Sequence, residues 1–320
     1  MAGETRNLYL SSVEQKTDSF NSSFYSDKDW RILQPIWDLR FGYENVLSSP
    51  VFPPILCTLF YVIYCSIYTI IDLYFVNFKI IKRYKIQPDR APNAKGIERA
   101  VLLTLWNNMV WTLPITMAQW AFTPNEVLPK VAPTLFEFIW QHFAALAMFD
   151  FFYFTWHSIH HKVRFLYKHC HAVHHEYYVC NSWVTQYLHP WELICVGFFT
   201  YSSVMIFNPH PMTKWSYLLF SEIISIDEHS GYDFPFMLSN IFKIMGGAVK
   251  HDMHHMRPLT NYAPFYLYWD WIFGTNCPGV RAGGYRDQAM LEYERKRKER
   301  ISNMKGKQKH KFSWWYKYIN

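Results

Sequence analysis

Fifteen of the 320 residues are histidine, and nine of these fall into three copies of one pattern. His157, His160 and His161 form the first, His171, His174 and His175 the second, and His251, His254 and His255 the third, each reading HxxHH. Residues three and four apart share a face of a helix, so one such segment can aim two or three imidazoles at a single point. Imidazole nitrogen ligates iron, zinc and copper. An isolated histidine on an apolar face is ordinarily a packed core residue, whereas three copies of one spacing point to metal. Together the boxes offer enough nitrogen for two ions with open coordination positions. His142, His169, His210 and His310 lack this spacing and are read as non-ligands.

Several metal chemistries are excluded. There is no HExxH of a zincin protease, no CxxCH of covalent haem, and no ExxH carboxylate pairs of a ferritin-like bundle. The six cysteines form no CxxC and are read as reduced thiols. An all-nitrogen site beside apolar segments suits oxygen activation on a lipid. In that reading two iron ions take up dioxygen and attack an unactivated C–H bond, while the protein positions substrate and excludes water.

The elements that must carry these residues are apolar. No charged residue lies between Glu44 and Asp72, and Val51–Leu73 is long enough to cross a bilayer core, which takes ~20 apolar residues as helix. A second uncharged run, Ala100–Asn125, holds Asn107, Asn108 and Gln119 and is expected to pack one face on protein. A third, Pro133–Trp156, is interrupted by Glu137, His142 and Asp150, and ionisable groups at that depth usually face a bundle interior or a site. A fourth, Leu188–Ile226, breaks at Asn208-Pro209-His210-Pro211 and reads as a helical hairpin. Lys79, Lys82, Arg83, Lys85, Arg90, Lys95 and Arg99 follow the first run and only Lys130 the second, so the first connection is placed in the cytosol. The boxes then face the cytosol, and the sequon Asn21-Ser22-Ser23 the lumen. The expected fold is all-α: a polytopic membrane bundle whose cytosolic histidine-box cap holds a di-metal site. Residues 1–44 form a polar N-terminal segment, 45–280 one catalytic domain, and 281–320 a basic cytosolic tail, solvated or in contact with anionic headgroups. Nucleic-acid binding is not expected, because the basic run is confined to that tail. Trp183, Trp191 and Trp215 are read as interfacial belt residues.

The three boxes resemble those of the fatty acid hydroxylase/sterol desaturase superfamily, and within it those of cholesterol 25-hydroxylases. The resemblance is carried by the residues from Trp156 to Val163, by the second box, and by Ser225-Ile226-Asp227-Glu228-His229-Ser230-Gly231-Tyr232-Asp233-Phe234-Pro235. The third box continues it, followed by Asn261-Tyr262-Ala263-Pro264-Phe265 and Trp269-Asp270. Arg83-Tyr84-Lys85-Ile86-Gln87-Pro88-Asp89 is similar to the loop after that family's first span, and the similarity covers roughly residues 33 to 277. It implies metal ligation by His157, His161, His171, His174, His175, His251, His254 and His255, with His160 in the same box and His229 as a further ligand. It also implies an endoplasmic-reticulum sterol hydroxylase using two ferrous ions and O2. Electrons would come from a separate NADPH-dependent reductase, directly or through cytochrome b5.

Two departures bear on the substrate. Lys250 stands where those hydroxylases often have histidine, and His189-Pro190-Trp191-Glu192 is more like the methylsterol oxidases. His189 is open between ligand, partner of a ligand, and start of a helix. Asp150, Asp227, Glu228, Asp233 and Asp252 are candidates to hold the far nitrogens of ligating histidines, Asp252 foremost. The alternatives are a methylsterol oxidase, or a hydroxylase of fatty acyl, sphingolipid or alkylglycerol chains. An alternative of another class is a catalytically silent protein that binds zinc and lipid.

Overall fold

The computed structural model describes residues 31–90 and 92–307, with side chains to residue 302. The sequon and the last residues of the basic tail lie outside the described residues. Helix α1 spans Phe52–Ile70 and runs on through a π turn, Ile71–Phe75. Helices α2 (Ala94–Asn107) and α3 (Leu113–Phe122) are joined by a second π turn, Asn108–Thr112. Pro114 follows that turn and has no N–H to donate to the preceding turn of helix, which the wider π turn accommodates. Then come α4 (Leu135–Lys162), the hairpin of α5 (Pro190–Met205) and α6 (Pro211–His229), α7 (Gly247–Met256) and α8 (Gln288–Lys307). Among the described residues all regular structure is helical, and only isolated bridges such as Lys85 with Tyr232 pair extended backbone.

Helix α6 is the hub, packed on α1, α4, α5 and α7. Two apolar clusters flank it. Tyr61, Cys65, Tyr68, Trp183, Ile226 and Tyr232 form one, and Leu146, Phe149, Tyr153, Trp156, Tyr217 and Phe265 belong to the other. Trp183 and Trp215 are therefore core residues, 5% and 9% exposed, and not the belt residues expected of them. Trp183 can be buried because its indole N–H donates to Thr69 Oγ1 at 2.7 Å.

Phe52–Phe75 and Leu135–Lys162 are, among the described residues, the two helices long and apolar enough to cross a membrane. Their outward sides need an apolar solvent: Ile55, Leu59, Ile63, Ile67 and Ile70 on α1, and Phe136, Ile139, Phe143 and Phe151 on α4, are exposed. That is the pattern of a membrane-associated chain. The polar residues inside the apolar runs have local explanations. Thr134 and Glu137 form a reciprocal capping box at the start of α4. Asn107 Nδ2 donates to Leu188 O at 2.8 Å, which puts one face of α2 against protein. Asp150 accepts from the backbone N–H groups of Phe265 and Tyr266 at 2.9 and 3.0 Å.

The end of α1 is tied to the loop after it by a buried ion pair. Lys85 Nζ lies 2.7 Å from Asp72 Oδ1, both side chains are 1% exposed, and Tyr232 Oη donates to the same oxygen at 2.7 Å. Removing one partner strands a buried charge, so Lys85→Ala should cost roughly 3–5 kcal/mol. Unfolding in detergent checks this, and a double variant with Asp72→Leu should recover part of the loss. A Lys85→Ala protein as stable as wild type would show that water already reaches the pair.

Candidate metal centre

The boxes are built on three kinds of backbone. The first closes α4 and the third lies within α7, so both are α-helical. The second is not. His171 ends a π turn, Tyr167–His171, and His174 opens a 3-10 turn, His174–Glu176. The second box therefore departs from the expectation of a helical backbone, yet two imidazoles of every box still converge on one group. In each box the two histidines four apart reach one group, and in the second and third boxes the histidine between them reaches the other.

His157, His161, His171, His175 and His254 form one group, and His174, His229, His251 and His255 the other, with the candidate ligand nitrogens of each group within 4.8 Å of one another. All but His175 are buried. Thus nine of the ten proposed ligands come together. The third box sends His254 to the first group and His251 with His255, one helical turn apart, to the second.

The hydrogen bonds fix which nitrogens point inward. Nδ1 of His157 donates to Tyr262 O at 2.8 Å, and Nδ1 of His254 to Thr260 O at 2.6 Å. Nδ1 of His229 donates to Ser225 O at 2.8 Å, and Nδ1 of His255 to Tyr177 O at 3.0 Å. A carbonyl can only accept, so in each neutral ring Nδ1 holds the proton and Nε2 presents a lone pair. His171 Nδ1 donates to Glu192 Oε1 and Oε2 at 2.9 and 3.0 Å, with the same consequence. Proton-free Nε2 atoms of His157 and His171 then stand 3.0 Å apart, an arrangement that repels unless a cation lies between them. The close Nε2 neighbours within each group lie from 2.8 Å (His251 to His229) to 3.4 Å (His229 to His174) apart. Metal–nitrogen bonds of ~2.0–2.1 Å imply edges of roughly 2.9 Å at right angles and 3.4 Å at tetrahedral angles. The donor set fits a metal ion in each group.

Burial keeps these rings neutral, as ligation requires. It lowers His254 to about 3 and His229 to about 4, and drives His174, His175, His251 and His255 well below the ordinary range, helped by neighbouring imidazoles. The sign follows from linkage. The unfolded histidines protonate below about pH 6.5 while the folded ones resist, so the unfolded state binds more protons. Metal-free protein should hold its full stability above about pH 6.5 and lose it progressively as pH falls towards 4 and then 3. Thermal unfolding in detergent at about pH 7.5 and about pH 5 checks this; an unchanged midpoint would contradict it.

The remaining candidates lie apart. His160 stays outside both groups because each ring nitrogen is engaged: Nδ1 donates to Trp156 O at 2.8 Å, and Nε2 accepts from Trp191 Nε1 at 3.2 Å. His189 is the start of a helix, its Nδ1 accepting from Trp191 N at 3.2 Å as the N-cap of α5. Asp252 does not hold a ligand. It points the other way on α7, and its oxygens accept from Gln87 Nε2 at 3.1 and 3.0 Å. Asp227 accepts from the hydroxyls of Tyr64 and Tyr68, and Asp233 from Asn240, so neither holds a ligating ring. Glu228 is buried, with one oxygen unpartnered among the described residues. Lys250 turns its ammonium to Asn276 Oδ1 and Cys277 O, away from both groups.

Two supports were not foreseen. Glu192 is one. The other is Asp270, whose oxygens accept from the N–H groups of Tyr262 and Ala263 at 2.9 and 3.0 Å and so fix the loop that offers its carbonyls to His157 and His254. The family profile described as fatty acid hydroxylase matches residues 142–275, which encloses every grouped histidine. Cholesterol 25-hydroxylase-like protein 2 of Danio rerio is 41% identical over 247 residues, covering 76% of this chain and 88% of that protein. A cholesterol 25-hydroxylase-like protein of Caenorhabditis elegans is 40% identical over 249 residues, covering 78% and 83%. Cholesterol 25-hydroxylase of Homo sapiens is 36% identical over 245 residues, covering 76% and 90%. No solved structure matches the chain.

Proposed function

Because this chain belongs to the fatty acid hydroxylase superfamily, and within it to the cholesterol 25-hydroxylase-like proteins, we propose that it is a membrane-bound di-iron monooxygenase hydroxylating a sterol side chain at C25. The observation that carries the reading is the pair of histidine groups, with proton-free nitrogens turned inward beside a helix of membrane length. His157, His161, His171, His175 and His254 would hold one iron, and His174, His229, His251 and His255 the other. Bound there, the irons supply reductive activation of O2. Overall, R–H, O2, NADPH and a proton give R–OH, water and NADP+. The chain has no nucleotide-binding glycine motif, so NADPH acts through a separate reductase, directly or by way of cytochrome b5.

What the chain itself does follows from its packing. Nδ1–H bonds to backbone carbonyls lock the rings of His157, His229, His254 and His255 so that they need not reorganise during turnover. Tyr153 packs on His157 and Trp156 on His171, and both help keep bulk water away. The exposed apolar sides of α2, α3 and α5, among them Leu105, Trp106, Ile115, Trp120 and Phe198, support a polytopic arrangement in which a lipid reaches the site without leaving the bilayer. The charge asymmetry of the connections favours boxes facing the cytosol from the endoplasmic reticulum membrane. Structural zinc is disfavoured, since closed zinc sites are four-coordinate and one group offers five nitrogens.

The test is to give membranes containing the protein NADPH, a reductase and O2, together with cholesterol, a methylsterol and long-chain acyl lipids, and to identify the products by mass spectrometry. The expected product is a sterol hydroxylated at C25. Oxidation of the methylsterol or the acyl lipid alone would keep the chemistry and overturn the substrate.

A further inference from the structure

Helix α5 carries a single Asp, Glu, Lys or Arg along its sixteen residues, Glu192, which lies in its first turn. Both Glu192 and His171 are 0% exposed. A carboxylate in an apolar helix is costly unless its charge is engaged. Here both oxygens converge on one atom, Nδ1 of His171, at 2.9 and 3.0 Å. Four other inward-facing rings, His157, His229, His254 and His255, meet a backbone carbonyl through Nδ1, and Nδ1 of His161, His174 and His175 has no hydrogen-bond partner among the described residues. His171 closes a π turn, and its Nδ1 meets a carboxylate where those four rings meet a carbonyl.

We propose that Glu192 is a positioning residue for the five-histidine group. It holds the Nδ1 proton of His171, fixes the ring with Nε2 turned inward, and places a full negative charge behind one ion and not the other. The two metal positions are thereby made unequal. The ion among His157, His161, His171, His175 and His254 gains a more strongly donating imidazole than any carbonyl-bound ring provides. The first turn of α5 acts as one clamp for this purpose: His189 caps it, Trp191 binds His160 of the first box, and Glu192 binds His171 of the second. The inference rests on the two-ion reading above, and the experiment separates the two.

Purified full-length protein is loaded with ferrous iron and challenged with increasing concentrations of a chelator, and bound iron is counted per chain. Wild type releases its two ions at two chelator concentrations. In Glu192→Gln the amide oxygen still accepts from Nδ1–H but carries no charge, and one ion should be released at roughly tenfold lower chelator while the other is unmoved. In Glu192→Ala the same ion should shift by up to about 100-fold, the range expected when the partner of a ligand is lost. Unchanged release in both variants overturns the proposal. Loss of both ions from Glu192→Gln also overturns it, because Glu192 would then be a structural residue serving the whole site. If Glu192→Ala does not fold, the isosteric Glu192→Gln decides alone. A wild type that never holds two ions defeats the di-iron reading itself, and this inference with it.

Discussion

Replacing His161 or His255 by alanine should abolish product formation, each through the loss of a different ion. His161 Nε2 lies 2.9 Å from that of His171 and 3.2 Å from that of His254, at the centre of the five-histidine group. His255 Nε2 lies 3.2 Å from that of His251 in the other group. Losing the partner of a ligand typically costs 10–100-fold, so losing the ligand itself should lower turnover by at least ~100-fold. The two variants should retain complementary single ions, counted by metal analysis. His160→Ala serves as the contrast, since His160 sits in neither group. It should keep both ions and lose activity modestly, through the freed Trp191 indole. If His160→Ala lost an ion while His161→Ala kept both, the division into two groups would be wrong.

The second large effect is expected at Asp270. Its carboxylate is 0% exposed and accepts from Tyr262 N, Ala263 N and Thr275 Oγ1. Asp270→Ala leaves two buried N–H groups without partners, at about 1–3 kcal/mol each, so the folded state should lose roughly 3–5 kcal/mol. The damage is directional. The loop it releases carries Tyr262 O and Thr260 O, which orient His157 and His254, and both of these belong to the five-histidine group. That ion should weaken before the other does. Chemical unfolding in detergent, read beside metal affinity, checks both parts; a loss below about 1 kcal/mol would mean that water replaces the carboxylate.

These supports show where sequence reasoning reaches and where it stops. The three HxxHH copies and His229 could be read from spacing and resemblance, and so could the hairpin broken at Asn208, whose φ of 45° fits the turn. The assignment of rings to ions could not. His174 and His175 are neighbours in sequence, as are His254 and His255, yet each pair is divided between the two groups, which HxxHH spacing alone does not assign. Asp252 looked like the natural partner of a ligand because it sits inside a box. One residue along α7 is a rotation of about 100°, which carries its carboxylate to Gln87 instead. Glu192 lies 21 residues from the histidine it serves, and its signal was the reverse of a motif: a lone charge in an apolar helix. Asn261 is similar. Its φ of 52° is one that asparagine tolerates, and its side chain bonds Lys250 O and Cys277 at the base of the same loop.

The most direct test of the account is the origin of the product oxygen. Iron-loaded protein, a reductase, NADPH and cholesterol are supplied with heavy-isotope dioxygen in ordinary water, and the sterol product is weighed. The account predicts a side-chain hydroxyl carrying one heavy oxygen atom, with the product lost in His161→Ala and in His255→Ala. A hydroxyl whose oxygen comes from water, or no product from protein shown to hold both irons, would contradict it.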